Sequence, residues 1–80
     1  MTLAELPTNV ACTIKRVGGA VKGTAYQLAA GIVAGNPIRV LARYPEHAPR
    51  FVEVEVAHRL VVTLPLPLTH DITLECDYCA

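Results

Sequence analysis

Eighty residues make one domain, too short for a second core and in the size range where folding alone is marginal. Seven Lys and Arg balance seven Asp and Glu, so the chain lacks the positive charge from which nucleic-acid affinity mainly comes. Hydrophobic residues make up 52% of it, but no apolar run approaches the roughly 18 residues of a membrane span, and no direct membrane insertion is expected.

The opening MTLAELPTN lacks the basic and apolar regions of a secretory signal, so a cytoplasmic protein is expected. Leu3, Leu6 and Pro7 form an apolar lead-in across one end of the core, with Pro7 stopping it from continuing as a helix or central strand. From Val10 to Val17, Val10, Cys12 and Ile14 alternate with Thr13 and Lys15, the period of a half-buried strand. Gly18 and Gly19 end it. Thr24 and Gln27 have capping-box spacing, so a short helix of about seven residues is expected from near Thr24. Ala25, Leu28 and Ala29 would form its narrow apolar stripe, and Gly31 its exit. Gly35, Asn36 and Pro37 then mark a turn.

The second strand, Pro37 to Arg43, points Ile38, Val40 and Ala42 inward, leaving Arg39, Leu41 and Arg43 on an outer face with Leu41 exposed. Tyr44 to Arg50 is a proline-rich surface loop. The third strand, Phe51 to Val56, has the firmest register, with three valines inward and Glu53 and Glu55 outward. A tight turn at Ala57 and His58 leads into Arg59 to Leu64, where Leu60, Val62 and Leu64 oppose those valines. Two prolines keep 65–68 out of a central strand and leave a helical turn or an extended kink. The last strand, Asp71 to Glu75, points Ile72 and Leu74 inward. Five short strands and one small helix fit a mainly β, partly open barrel.

Catalytic chemistry is sparse. There is no serine, and the glycines at 18, 19 and 23 are not followed by the Lys-Ser/Thr of a phosphate loop. Glu53 and Glu55, about 7 Å apart along one strand face, read as a solvated face. His47, His58 and His70 fall at turns or strand ends and read as solvated. No enzymatic function is expected.

The cysteines carry the one chemical constellation. An odd count of three argues against a closed disulfide framework and for free thiols or a metal site. Cys76 and Cys79 form a CxxC in a cysteine-bearing tail, 76–80, able to give two thiolates to zinc or ferrous iron. Antiparallel pairing of the first and last strands would bring Cys12 beside Cys76 as a third thiol. His58, His47, Asp77 or a second subunit could complete the shell. The alternatives are a buried apolar Cys12 with a frayed, reducible tail pair, or a disulfide or redox role.

The order of elements resembles the FeoA family of small SH3-like domains associated with bacterial ferrous iron transport. The resemblance spans nearly the whole chain. It rests on Leu3-x-x-Leu6-Pro7, the passage Gly31-Ile32 to Gly35, the strand Ile38-Arg39-Val40, and the hairpin from Val52 to Val62 with its helical corner and closing strand. Where the family often has glycine at the hairpin tip, this chain has Ala57-His58. The resemblance implies an SH3-like five-stranded barrel over 1–80. It also implies a non-enzymatic accessory role by contact with the cytosolic part of the FeoB transporter, peripheral to the inner face of the membrane through that partner. Leu41, Arg43, Tyr44 and Arg50 are the candidate contact residues. The alternative function is a thiolate metal sensor or delivery protein using Cys76, Cys79 and Cys12. The high apolar content also fits a homo-oligomer.

Overall fold

The computed structural model of the chain describes residues 1–76. Five strands, β1 (Ala11–Val17), β2 (Pro37–Tyr44), β3 (Phe51–Val56), β4 (Leu60–Pro65) and β5 (Ile72–Glu75), form one antiparallel sheet in the order β4-β3-β2-β1-β5. The first and last strands pair as the sequence suggested. The alternation explains which faces close on each other: Cys12, Ile14, Ile38, Val40, Val52, Val54, Val56, Leu64, Ile72 and Leu74 are buried together. In β3 all three valines are fully buried, while Glu53 and Glu55 stay partly exposed. A register slip of one residue would exchange those sets, so burial itself fixes the pairing Val52↔Leu64, Val54↔Val62, Val56↔Leu60.

The sheet bends at two irregularities, one between Ile14 and Arg16 on β1 and one between Val40 and Ala42 on β2. Extra residues there increase twist and curl the sheet toward a barrel. Among the described residues β4 and β5 do not pair, so the barrel stays partly open. The opening is packed by the N-terminal 3-10 turn (Leu3–Glu5), which meets β5 and the short helix α2 (Leu66–Thr69). Leu3 and Leu6 are both fully buried. The Thr2 backbone N–H and hydroxyl donate to Glu5 Oε1 at 3.0 and 3.2 Å, tying off the start of the turn. The Leu74 N–H donates to the Met1 carbonyl and the Asn9 N–H to that of Val40, so the lead-in is anchored to β5 and to β2. Residues 65–68 resolve as the end of β4 and the start of α2, the helical turn of the two readings, with Pro67 near its N-terminus.

The helix between β1 and β2 differs from expectation. α1 covers only Ala25–Leu28, and Leu28 is 76% exposed, so the Ala25-Leu28-Ala29 stripe does not face the core. Tyr26 and Ala30 pack there instead. Gln27 does reach back, its Oε1 accepting from the Gly23 N–H at 2.7 Å, but the Thr24 hydroxyl turns away to donate to the Val21 carbonyl at 2.6 Å. One turn of helix is too short to set its own orientation, so neighbouring packing decides which side is covered. The glycine-marked exit is as expected. Gly31 and Gly35 have φ of +81° and +96°, and between them Ile32 is fully buried. Asn36 Nδ2 donates to the Gly31 carbonyl at 2.7 Å, closing the passage into β2.

At the β3–β4 hairpin the backbone explains a sequence departure. Ala57 and His58 both hold left-handed φ, +56° and +60°, as both central residues of a type I′ turn must. Leu60, expected to face inward, is 37% exposed; it pairs with Val56 at the last position of the β3–β4 ladder, next to the turn.

Candidate functional site

Two regions gather the candidate residues. The first is an open groove of about 270 Å³ lined by Thr8, Leu41, Ala42, Arg43, Tyr44 and Glu46. It brings Leu41, Arg43 and Tyr44 side by side at the bulged end of β2. Arg50 does not line it; its main chain instead locks the loop, the N–H donating to the Tyr44 carbonyl and the carbonyl accepting from the Leu66 N–H. Leu41, expected to be exposed, is half-buried, because the bulge beside it breaks the simple alternation. Arg43 is engaged within the fold: its Nη2 donates to the Leu6 carbonyl at 2.6 Å and reaches that of Ala4 at 3.4 Å.

Tyr44 is 49% exposed and pairs across the sheet with Phe51, itself 47% exposed. Two large aromatic faces thus stand open at one end of β2 and β3, with Arg50 exposed in the intervening loop. Sequence reasoning missed Phe51 as a surface residue. The signal was present: in a strand whose even positions are buried valines, an odd-numbered phenylalanine must point outward.

The second region is the β1–β5 edge. The register Thr13↔Glu75, Ile14↔Leu74 makes Cys12 and Cys76 the next opposed pair, and their sulfurs form a disulfide with a Cα separation of 4.6 Å. This corrects the expectation of free thiols. Cysteine counting cannot see that a chain returning over a sequence separation of 64 brings Cys76 to the position facing Cys12, at a distance within the range a disulfide spans. Cys12 is buried and Cys76 partly exposed, with its Sγ 3.9 Å from the Met1 Sδ. Cys79 and Asp77 lie outside the described residues. A groove of about 220 Å³ beside the disulfide is lined by Val10, Ala11, Cys12, Thr13, Pro37, His58 and Glu75. With the disulfide closed, no group of three or more His, Cys, Asp or Glu among the described residues is arranged to hold a metal ion. His47 lies exposed in the loop between β2 and β3, away from this edge. The Glu5 carboxylate is held below its ordinary range, first by the Thr2 backbone N–H and then by its hydroxyl, a local capping effect within the lead-in.

One curled, five-stranded antiparallel sheet with a short helical corner defines a small SH3-like partly open barrel. That is the fold of FeoA proteins. The chain is similar to the solution structure of iron(II) transport protein A from Clostridium thermocellum, with a TM-score of 0.77 and 23% identity over 96% of this chain and 46% of that one. It is similar to FeoA from Chlorobium tepidum, with a TM-score of 0.77 and 24% identity over 98% of this chain and 71% of that one. It is also similar to a FeoA-like protein from Clostridium acetobutylicum, with a TM-score of 0.74 and 16% identity over 100% and 90%. At such identities the likeness is one of fold, and the chain spans less than half the length of the Clostridium thermocellum chain. No family model and no curated protein matches the sequence. Among the described residues no helix is long and apolar enough to cross a membrane.

Proposed function

We propose that this protein is a non-enzymatic accessory module of ferrous iron transport that works by contact with the cytosolic part of a FeoB-type transporter. The observation that carries this reading is the match of nearly the whole chain to three FeoA-type structures, one of them an iron(II) transport protein. The contact surface is the Leu41–Tyr44 groove extended by Phe51 and Arg50. Half-exposed aromatics beside an arginine are the residue types that anchor interfaces, because they bury much area at low entropic cost. Arg43 shapes this surface through its bonds to the lead-in. The protein acts in the cytoplasm, at the membrane only through its partner.

The test is co-purification with the transporter's cytosolic domain, comparing wild type with Tyr44→Ala and Phe51→Ala. Binding reduced roughly tenfold or more in both variants is expected, since central aromatic anchors carry about 2 kcal/mol each. Absence of binding by folded wild-type protein at high concentration would overturn the reading.

A second reading follows from the juxtaposition of Cys12 and Cys76. In the reduced state the two thiolates, with Cys79 three positions on in sequence, offer soft ligands for zinc or ferrous iron, and His58 and Glu75 line the adjoining groove. Metal analysis of anaerobically prepared protein against Cys76→Ser/Cys79→Ser should show stoichiometric metal in the wild type alone. An empty wild type would remove this reading.

A further inference from the structure

The two edges of the sheet are covered unequally. β5 is shielded by the lead-in, through the Thr2↔Thr73 bridge and the Leu74 N–H bond to the Met1 carbonyl. Among the described residues no strand or bridge lies on the outer side of β4.

Proline fixes which main-chain groups that edge presents. Pro65 has no N–H, so Phe51↔Pro65 is a non-bonded pair of the ladder, and beside it the Leu66 N–H donates to the Arg50 carbonyl at 2.7 Å. Bonded and non-bonded pairs alternate, so Leu60, Val62 and Leu64 bond to β3, while Val61 and Thr63 turn their N–H and C=O groups away from it. Among the described residues these outward groups have no partner. Exposed edges are normally blunted by charge, by proline or by a bulge. β4 reads Leu-Val-Val-Thr-Leu-Pro, with no charged residue, its proline at the very end and no register shift against β3. Val61 is 50% exposed on it, and Thr63 is exposed too.

We propose that β4 is the self-association edge of this protein, pairing antiparallel with β4 of a second copy about a two-fold axis at Val62. That axis sets Val61 of one copy opposite Thr63 of the other, so that each outward N–H and C=O finds its complement. It also sets Leu60, exposed at the strand end, opposite Leu64 of the second copy. Charge favours a second copy over an unlike strand. An uncharged strand on a chain whose formal net charge is zero selects no oppositely charged partner, and it meets its own copy without repulsion. With β5 covered, each copy has one edge to offer, and assembly stops at the dimer. Six residues a side fall short of the interfaces of stable complexes, so the dimer is weak, with a dissociation constant of roughly 0.1 mM. It uses none of the residues lining the Leu41–Tyr44 groove and does not depend on the transport reading.

The test is sedimentation of the full chain from about 10 µM to about 1 mM, with amide hydrogen exchange read by NMR over the same range. Wild type should pass from monomer to dimer. The Val61 and Thr63 amides should gain protection as concentration rises, whereas those of Val62 and Leu64, bonded to β3, are protected throughout. Two variants fix the register. Val61→Lys/Thr63→Lys sets its lysines beside Glu55 and Glu53 within the same sheet, which suits the monomer, but opposes lysine to lysine across the axis; the dissociation constant should rise about tenfold or more. Val61→Lys/Thr63→Glu opposes lysine to glutamate across the same axis and should associate at least as tightly as wild type. Circular dichroism establishes that both variants are folded. A wild type monomeric at the highest concentration, species larger than a dimer, or association without protection of Val61 and Thr63 would each overturn the proposal. So would undiminished association of the double-lysine variant or loss of it in the lysine–glutamate variant. Protection of these amides only on adding the transporter's cytosolic domain would assign the edge to an unlike partner and overturn it as well.

Discussion

Arg43 Nη2 donates to the Leu6 carbonyl at 2.6 Å: expected on the outer face of β2, Arg43 is set by the bulge opposite the buried Val52, on the inner face, and from there it holds the N-terminal lead-in across the open end of the barrel. Leu3 and Leu6 are fully buried beneath that segment, which makes the bond part of how the core is closed. Arg43→Ala should therefore destabilise the fold by about 1–2 kcal/mol, the loss of a charge-assisted hydrogen bond at a part-buried site. Thermal unfolding reads this as a drop of several degrees. Arg43→Lys should recover only part, because both contacts come from the single terminal nitrogen Nη2, whose reach and direction are set by the planar guanidinium. An unchanged midpoint for Arg43→Ala would mean that the lead-in is held by Leu3 and Leu6 alone.

The hairpin tip carries conformational cost. Ala57 and His58 both sit at positive φ, where a side chain costs roughly 1–2 kcal/mol per residue. Ala57→Asn/His58→Gly supplies the pair that this turn favours, and the extra unfolded-state freedom of glycine takes back part of the gain. A net stabilisation of about 1 kcal/mol is expected in urea unfolding, with the slope unchanged. The Ala57 N–H bond to the Pro37 carbonyl, 2.9 Å, survives the substitution.

Gly18 is a packing requirement of a different kind. A Cβ there would fall onto the Asp71 carboxylate, which accepts from the Ala20 N–H at 2.8 Å, while the Gly18 N–H donates to the Asp71 carbonyl. Gly18→Ala must push this knot apart, at a cost of about 1–3 kcal/mol. Gly19→Ala meets nothing within 4 Å and serves as the control, neutral or slightly stabilising. Equal midpoints for the two variants would contradict the role assigned to Gly18.

Acid sensitivity should have a local origin at Glu5. Its carboxyl is held below the ordinary range by the Thr2 N–H and hydroxyl, so the folded state binds the proton less readily than the unfolded state. The stability this contributes is present above the ordinary carboxylate range and is lost as pH falls through the lowered folded value. Glu5→Gln should therefore differ from wild type near neutrality and converge with it in acid. A constant difference down to the most acidic pH studied would assign the effect to another group.

Strand alternation is legible in a single sequence because burial on one face imposes a period of two that each strand carries by itself. The valines of β3 and the Ile72-Leu74 pair of β5 were placed in this way, and with them the β3–β4 register. The Gly31 to Gly35 passage was legible too, since positive φ at those positions selects glycine locally. Leu28 was not, because four helical residues have no fixed inner side until neighbouring packing chooses one. Leu41 was misread because a bulge depends on the partner strand.

The site divides along the same line. The residue types at the Leu41–Tyr44 end and the CxxC spacing were visible in the chain, whereas the engagement of Arg43 with Leu6, the pairing of Tyr44 with Phe51 and the bond between Cys12 and Cys76 were decided by tertiary structure. Each joins residues distant in sequence or on separate strands, by geometry that exists only once the sheet has curled. Local composition determined which residues were available to meet; the curled sheet determined which of them did.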